Sequence, residues 1–442
     1  MYRIMYKINR IDSRYCVGCG TCVTLCPRKA IGFSVLGSDI VAIVDESRCT
    51  DCGLCVLICP GINNVYVDDR SVLDSLLREF RVKAVYFGWS RDENIRFWSA
   101  SGGIVTSFLR YLVEKKVVSY VLVTKHRFLS AYPNITGRVE DIVRSSGSIY
   151  FKTFTLAKLG KLLELVRRGH RVAIVGLPCM LGVVRKVLPR KLRERVIFIG
   201  LVCYHINTFW YLKYVFSKFS PSLRAKPISV SPRKGGWPGK IVLRYRVNNS
   251  VKEVEVGHFS LWNAIPRFEF TAPKGCLYCY DHIAVGGDVV VADAWHPKFF
   301  GKDTLGVSLV IVKTDKGLEL IRKAAEEGFI ELIDAKSVDA YTAQYRNFFI
   351  RTIQTLVRRA IFYRRFGVIF KFPREAFIEI LRLAIISLLE RVPFIYAYAI
   401  TRVFEKLIYI FSVPSIEGRL YIRYRDDPQL FFRTIKVLTL KT

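Results

Sequence analysis

The 442-residue sequence has no uncharged apolar stretch of the roughly 18–20 residues that a membrane-spanning helix requires. The longest candidate runs from Val392 to Thr401 and is bracketed by Arg391 and Arg402. The N-terminal residues show neither the apolar run of a secretory signal nor a paired-arginine export motif. We therefore expect a cytoplasmic protein, free or peripheral at a membrane, whose thiols stay reduced.

Acidic residues are few beside basic ones: 37 Asp plus Glu stand against 69 Lys plus Arg, a formal net charge of +32. Such an excess favours an anionic partner, which is compatible with nucleic acid, an anionic membrane or an anionic small substrate. No helix-turn-helix or RNA-binding signature accompanies the charge. A nucleic-acid partner is therefore not expected.

Cysteine, in contrast, is abundant, and eight of the 12 cysteines fall in two runs near the N-terminus. Both runs read C-x2-C-x2-C-x3-C-P, which is typical of bacterial-type ferredoxins with two 4Fe-4S clusters. In that arrangement the first three thiolates of a run bind one cluster and the fourth binds the other. The two predicted ligand sets are Cys16, Cys19, Cys22 and Cys59, and Cys26, Cys49, Cys52 and Cys55.

A zinc site or disulfides are the alternatives for these runs. Zinc needs only four ligands, which usually come as two separated pairs, and neither run has that spacing. Gly18, Gly20 and Gly53 would let the backbone wrap closely around a cluster, because a side chain there would crowd it. The doubled motif therefore favours two clusters and predicts a protein that transfers electrons.

The chain is long enough for two or three domains. We expect an α+β two-cluster ferredoxin domain in residues 1–64, a linker in 65–83, and an α/β domain with alternating strands and helices in 84–345. Predicted strands include 84–87, 120–124, 171–175 and 196–201, and a hairpin is expected around Asn248 and Asn249.

Residues 346–442 form the last predicted unit, a basic helical extension with 18 Lys plus Arg against 7 Asp plus Glu. Pro373 and Pro393 are expected in the first turns of two successive helices. An amphipathic cap packed on the α/β domain is the simpler interpretation. A docking surface for a membrane-associated partner, or for the membrane itself, is the alternative.

Four cysteines lie outside the two runs, and four is the number that one further 4Fe-4S cluster requires. Cys179 and Cys203 each follow a predicted strand, and ligands of α/β sheets bind at the carboxyl ends of strands. Cys276 and Cys279 form a C-x2-C pair that suits a single cluster. Each cysteine alone would be an ordinary buried residue, but together they predict a third cluster.

Residues 99–106, with the sequence SASGGIVT, open an apolar helix. Backbone N–H groups and the helix dipole at such a start hold phosphate or the polar edge of a flavin, although an ordinary serine N-cap explains the pattern more simply. Residues 293–295 are interpreted as turn chemistry. His205 and His296 are too scattered to indicate a metal site.

Five motifs occur in the order found in one family: SASGGIVTSFLRYL, GLPC, GLVC, KGCLYCYD and GGDVVVADAWHPKFFGKDTLGVSLVIVKTDKG. Over residues 84–330 the chain thus resembles the coenzyme F420 hydrogenase/dehydrogenase beta subunits, several of which carry an N-terminal two-cluster ferredoxin module. The resemblance implies an α/β fold that binds FAD beside a 4Fe-4S cluster. By motif, the cluster would be held by Cys179, Cys203, Cys276 and Cys279, and FAD would be bound by Ser99, Ser101, Gly102, Gly103 and Thr106.

The activity implied by the resemblance is that of an iron–sulfur flavoprotein oxidoreductase. It would pass electrons between coenzyme F420, which exchanges hydride with FAD, and one-electron carriers reached through the clusters. The expected partners are coenzyme F420 or a similar anionic redox substrate, and a protein electron carrier, membrane-associated in one interpretation.

The sequence departs from the family pattern at Met180, where glutamine is expected, and at Tyr204 and His205, where small residues are expected. These departures keep open a ferredoxin-dependent reductase of another substrate. A non-catalytic electron-transfer subunit of a larger complex is also open. No catalytic residue is assigned.

Overall fold

The computed structural model describes residues 13–37, 39–66, 82–258, 269, 271–345, 347 and 351–362. The N-terminal module begins with a 3-10 turn over Ser13–Tyr15. Its further elements are α1 (Thr21–Leu25), β1 (Ile31–Leu36), β2 (Asp39–Val44), α2 (Leu54–Leu57) and α3 (Pro60–Tyr66). β1 and β2 form an antiparallel hairpin that pairs Ile31 with Val44 and Leu36 with Asp39.

The remaining described residues alternate between strands and helices. The strands are β3 (Ala84–Ser90), β4 (Tyr120–Arg127), β5 (Ser130–Thr136), β6 (Val172–Gly176), β7 (Val196–Leu201), β8 (Lys226–Lys234), β9 (Lys240–Val247), β10 (Ser250–Gly257), β11 (Val289–Asp293), β12 (Ser308–Val312) and β13 (Ile330–Ala335). The helices are α4 (Glu93–Trp98), α5 (Ile104–Glu114), α6 (Val139–Val143), α7 (Leu159–Arg167), α8 (Pro178–Val187), α9 (Arg190–Arg193), α10 (Trp210–Lys218), α11 (Lys274–Leu277), α12 (Asp315–Glu326), α13 (Ser337–Tyr345) and α14 (Arg351–Phe362).

An eight-stranded mixed sheet in the order β13-β3-β12-β11-β7-β6-β4-β5 forms the centre of the α/β part. β4, β6, β7 and β11 pair in parallel. β3 and β11 are both antiparallel to β12 and therefore run in the same direction as each other. The carboxyl ends of five strands consequently meet at one edge of the sheet, where α/β folds place their ligands.

Helices cover both faces of this sheet, which explains why its inner strands are apolar throughout rather than alternating. Neighbouring residues of β7 show the two faces: Ile197 belongs to one core cluster and Phe198 to the other. Phe108 of α5 packs in the cluster of Ile197, and Leu162 of α7 packs in that of Phe198. The predicted α/β class is therefore confirmed.

A separate three-stranded antiparallel sheet has the order β10-β9-β8. Val247 pairs with Ser250 across the turn at Asn248 and Asn249, so the predicted hairpin is present. Asn248 adopts a positive φ of 54°, a conformation that asparagine tolerates better than most residues. The sheet packs against α10 through Tyr245, whose hydroxyl donates a hydrogen bond to the Phe216 carbonyl at 3.0 Å.

The N-terminal module is hydrogen-bonded to the segment that precedes α7. The backbone N–H groups of Phe154 and Leu156 donate to the carbonyls of Gly18 and Cys19, both at 2.8 Å. The buried ammonium group of Lys152 donates to the Asp39 carboxylate and to the Ile40 carbonyl. These bonds attach the module to the α/β part on the side of its first cysteine run.

Two glycines, Gly61 at the start of α3 and Gly275 in α11, form a second contact between these parts. A Cβ atom on Gly275 would lie 2.7 Å from the Gly61 Cα and 2.7 Å from the Tyr15 carbonyl oxygen. A Cβ atom on Gly61 would lie 2.1 Å from that same oxygen. Only residues without side chains permit this close backbone approach.

Among the described helices, none combines the length and apolar character needed to cross a membrane. The helix starts expected at Pro373 and Pro393 lie outside the described residues. Residue 347 and α14 are the described parts of the predicted extension, and the domain boundaries drawn from the sequence stay predictions.

The glycine contact generates a stability prediction. Gly275→Ala should lower the free energy of unfolding by about 1–3 kcal/mol, because the added methyl group would lie 2.7 Å from the Gly61 Cα and backbone must move to accommodate it. Gly182→Ala is the matched control, since nothing lies within 4 Å of its Cβ position in α8. That control should stabilise the protein by about 0.5–1 kcal/mol. Thermal unfolding of anaerobically purified variants measures both, and equal stability of the two would contradict the proposed role of the contact.

Candidate functional site

Two small cavities in the N-terminal module are lined by cysteines from both runs. One is lined by four thiols together with apolar residues such as Phe33, Val41 and Ile62; its cysteines are Cys16, Cys19, Cys22 and Cys59. The cysteines of the other are Cys26, Cys49, Cys52 and Cys55. The structure thus groups three cysteines of each run with the fourth of the other, as the spacing predicts.

The cysteines surround these cavities rather than meeting at a point. Within the described residues, no three His, Cys, Asp or Glu side chains are arranged to hold one metal ion. Gly18, Gly20 and Gly53 adopt positive φ angles of 62°, 86° and 71° beside the cavity walls, a conformation that favours glycine. The close approach that two of these glycines permit is to the α/β part, because a Cβ atom on Gly18 would lie 2.5 Å from the Lys152 side chain and one on Gly20 would lie 2.8 Å from the Ala157 nitrogen. The donor set fits a cubane cluster.

The two N-terminal sets differ in exposure. Burial raises the pKa of the Cys22 thiol, and neighbouring thiols, Cys19 and Cys59 first, raise it further. The second set lies nearer the surface, where Cys52 is exposed and Leu57 is 60% exposed. The first set therefore includes the buried Cys19, and the second includes the exposed Cys52.

A third group consists of the four remaining cysteines. Cys179 lies in the first turn of α8 directly after β6, and Cys203 follows β7 by two residues. Cys276 lies in α11, and the Cys279 N–H donates to its carbonyl at 3.3 Å. Two strand ends and one tight turn bring this group together.

The electrostatics of these thiols show that they are neighbours. Burial raises the pKa of the Cys179 thiol well above its ordinary value, and the thiols of Cys279, Cys276 and Cys203 raise it further. Burial likewise raises the pKa of Cys276 to about 11. Thiols buried together stay protonated unless a cation compensates their charge, and iron supplies such a cation.

The third group adjoins the first N-terminal set. Cys19 contributes to the raised pKa of Cys179, and Cys16 contributes to that of Cys276. The contact between Gly61, two residues after Cys59, and Gly275, one residue before Cys276, fixes this proximity through the backbone. The three groups are thus arranged in series, with the group of Cys276 innermost.

A cavity of about 710 Å³ opens at the carboxyl edge of the central sheet and reaches the innermost group at Cys203. Its wall includes Gly176 at the end of β6, Leu201 at the end of β7 and Asp293 at the end of β11. The volume lies within the range of cofactor and substrate sites, which is roughly 300–1,000 Å³.

Four of the five residues assigned to FAD by the resemblance line this cavity, namely Ser99, Ser101, Gly103 and Thr106. The fifth, Gly102, packs against strand backbone instead, and its N–H donates to Ser308 Oγ at 3.0 Å. Ser101 Oγ donates to the Val307 carbonyl at 2.7 Å, which holds the turn on β12. Among the described residues, the buried Ser99 hydroxyl has no hydrogen-bond partner. Ser99 is therefore the hydroxyl of this turn with capacity for a ligand.

An ion pair borders another part of the cavity. Arg233, fully buried, donates two hydrogen bonds of 2.8 Å to the Asp293 carboxylate, and Trp237 Nε1 donates a third at 3.0 Å. Burial alone would lower the pKa of Arg233, but Asp293 more than offsets this and raises it. Burial and the nearby guanidinium lower the pKa of His258 to about 2, so this imidazole is neutral at physiological pH.

The residues at which the sequence departs from the family pattern also lie at the cavity. Met180, Tyr204 and His205 all line it, whereas His296 does not. Met180 and His205 are buried, and the His205 ring nitrogen Nδ1 lies 3.0 Å from the Ile206 carbonyl oxygen. The departures are therefore all located at the wall of this cavity.

Sequence reasoning missed several residues of the wall. Asp293 was attributed to turn chemistry, although it ends a strand at the same edge as Cys179 and Cys203, and the strand-end rule would have identified it. Trp295 follows the same strand by two residues and falls under the same rule, whereas Arg233 carries no local signal, because its position depends on a contact with the distant Asp293.

Comparison with known protein families gives matches in two parts of the chain. A 4Fe-4S dicluster domain matches residues 15–61, so the chain is an iron–sulfur electron-transfer protein. The N-terminal and C-terminal regions of the coenzyme F420 hydrogenase/dehydrogenase beta subunit match residues 85–161 and 169–338. The chain belongs to the family of coenzyme F420 hydrogenase/dehydrogenase beta subunits, which confirms the resemblance noted in the sequence.

The sequence identity between this chain and individual relatives is low. The coenzyme F420-dependent sulfite reductase of Methanocaldococcus jannaschii is 27% identical over 73% of this chain, which spans 48% of that relative's length. One component of the F420H2 dehydrogenase of Methanosarcina mazei is 22% identical, over 72% of this chain and 90% of the relative. A chain of the F420-reducing [NiFe] hydrogenase complex of Methanosarcina barkeri is 21% identical with a TM-score of 0.43, over 57% of this chain and 82% of that chain.

The third group of cysteines leads to a prediction about iron content. Cys276→Ser should remove about four iron atoms per chain and leave the N-terminal sets loaded, because it deletes one ligand of the third group only. Iron analysis with electron paramagnetic resonance on the reduced protein measures this loss. Cys52→Ser, a matched change in the exposed set, should eliminate a different signal. Unchanged iron in Cys276→Ser would overturn the assignment.

Proposed function

We propose that the protein is an oxidoreductase that passes electrons between a hydride carrier, coenzyme F420 by preference, and a one-electron protein carrier. FAD would occupy the strand-edge cavity, and 4Fe-4S clusters would occupy the three cysteine groups. The observation that carries the proposal is the serial arrangement: the cavity reaches Cys203, the third group adjoins the first N-terminal set, and the second set ends at the exposed Cys52.

Each part of this arrangement has a chemical reason. Bound FAD would exchange electrons in pairs with a hydride carrier and singly with a cluster. The protein's residues position the groups: Cys276 of the third group is buried, and the cavity beside that group is walled by strand ends. The names of the relatives, which include F420-dependent enzymes, support coenzyme F420 as the carrier. The basic surface favours such an anionic substrate.

A second candidate keeps the electron path but changes the substrate. Met180 and His205 line the cavity and depart from the family pattern, so a different molecule could be reduced there with electrons from an external ferredoxin. The two candidates differ in what reacts at the cavity and agree on the clusters.

One kinetic experiment separates them. Anaerobically purified protein, checked for iron and flavin, is mixed with reduced coenzyme F420 and a viologen dye, and absorbance follows reoxidation of the deazaflavin. The proposal expects rapid turnover that disappears when the flavin is stripped and returns when FAD is restored. Absence of turnover with all cofactors present would overturn coenzyme F420 as the substrate and favour the second candidate.

The cavity assignment yields a binding prediction for Ser99. Ser99→Ala should weaken FAD binding about tenfold, because a buried hydroxyl with ligand capacity is lost. Quenching of flavin fluorescence by flavin-stripped protein measures the affinity. Ser130→Ala, at the exposed first residue of β5, is the control and should bind FAD normally. Equal affinity in both variants would exclude Ser99 as an FAD contact.

A further inference from the structure

Helix α14 lies beyond the residues that match the family and carries an unusual buried polar face. Arg351, Thr355 and Arg358 are spaced i, i+4 and i+7, which places them on one side of a helix. All three side chains are buried, with at most 1% of each residue exposed. Guanidinium groups are rarely buried without a specific purpose, because removing a charge from water is costly.

These three side chains bind a single turn of the chain, the C-x2-C segment of the third cysteine group. Arg351 Nη2 donates to the Cys276 carbonyl at 2.8 Å, and Thr355 Oγ1 donates to the Cys279 carbonyl at 3.0 Å. Arg358 Nη1 donates to the Leu277 carbonyl at 3.4 Å. One helix face thus holds the backbone that carries two of the four thiols.

Further contacts fix the helix on both sides of that turn. The buried Glu269 carboxylate forms ion pairs with Arg351 and Arg358. Arg351 also lies over the Tyr204 ring, 5.0 Å from its centroid, and Tyr204 lines the large cavity beside Cys203. The helix therefore contacts both the third group and the wall of the cavity.

We propose that α14 is an electrostatic support for the third cluster, with Arg351, Thr355 and Arg358 as positioning residues. The inference rests on the proposed function, because it requires a cluster at Cys179, Cys203, Cys276 and Cys279. The charge and hydrogen bonding around a cluster set its reduction potential. Cationic groups stabilise the more negative, reduced form, so the helix raises the potential of the cluster nearest the cavity.

The decisive variant is Arg358→Gln, which removes one charge while Arg351 continues to pair with Glu269. Redox titration of the anaerobic full-length chain, followed by electron paramagnetic resonance, measures the third cluster, whose signal is identified by its loss in Cys276→Ser. The expected result is a lower potential that changes the cluster's electron-transfer equilibrium about tenfold, or about 59 mV for one electron. Arg358→Lys should restore most of the shift, because it restores the charge.

Two controls make the result specific. Lys323→Gln removes the same charge from the exposed surface of α12 and should leave the potential unchanged. Thr355→Val deletes one hydrogen bond at nearly constant volume and should lower the potential of the third cluster, but by less than Arg358→Gln does. If Arg358→Gln does not fold, Thr355→Val is the variant that tests the inference.

The outcomes distinguish this inference from the proposed function. Unsubstituted protein with about eight iron atoms, rather than about twelve, would overturn the third cluster and the inference with it. About twelve iron atoms with an unchanged potential in Arg358→Gln and Thr355→Val would overturn the inference alone. Full iron with the expected shifts, and none in Lys323→Gln, would support it.

Discussion

The backbone contact between Gly61 and Gly275 is the constraint on which the arrangement of the cysteines depends. Gly275 directly precedes Cys276 of the third group, and Gly61 is two residues after Cys59 of the first N-terminal set. A Cβ atom on Gly275 would lie 2.7 Å from the Gly61 Cα. Two cysteine groups are therefore held together by main chain, whose position varies far less than that of flexible side chains. Because electrons pass only between centres that are close together, the proposed electron path from the N-terminal module to the cavity depends on this contact.

The sequence predicted the parts of this arrangement that local rules govern. The spacing of the two cysteine runs is local, and the structure groups those cysteines as the spacing predicts. The strand-end rule places Cys179 and Cys203 at one edge of the sheet, and each follows a strand of that edge in the structure, while their role as cluster ligands stays a prediction. The glycine contact was beyond prediction, because it joins segments about two hundred residues apart and neither glycine has a positive φ that would mark it.

The net charge of +32 shows a similar limit of prediction from the sequence. From composition it was attributed to the surface and to anionic partners, yet Lys152, Arg233, Arg351, Arg358 and Arg359 are all buried. Lys152 lowers the pKa of Cys276, and two of the arginines bind the turn that carries that cysteine. Part of the basic excess therefore has an internal use, since buried thiolates require compensating positive charge. A count of charges cannot separate this use from steering at the surface.

Of the 12 cysteines, all of which the structure describes, only Cys52 is exposed, and this gives the series of groups a direction in space. The cavity lies at strand ends, the third group beside it includes the buried Cys276, and the last cysteine set includes the exposed Cys52. A hydride must be kept from water, whereas a one-electron carrier exchanges by brief contact at a surface. In the proposed function, the cavity end therefore suits two-electron chemistry and the exposed end suits a protein partner. The departures at Met180 and His205 lie only at the cavity end, so a change of substrate would leave the proposed electron path intact.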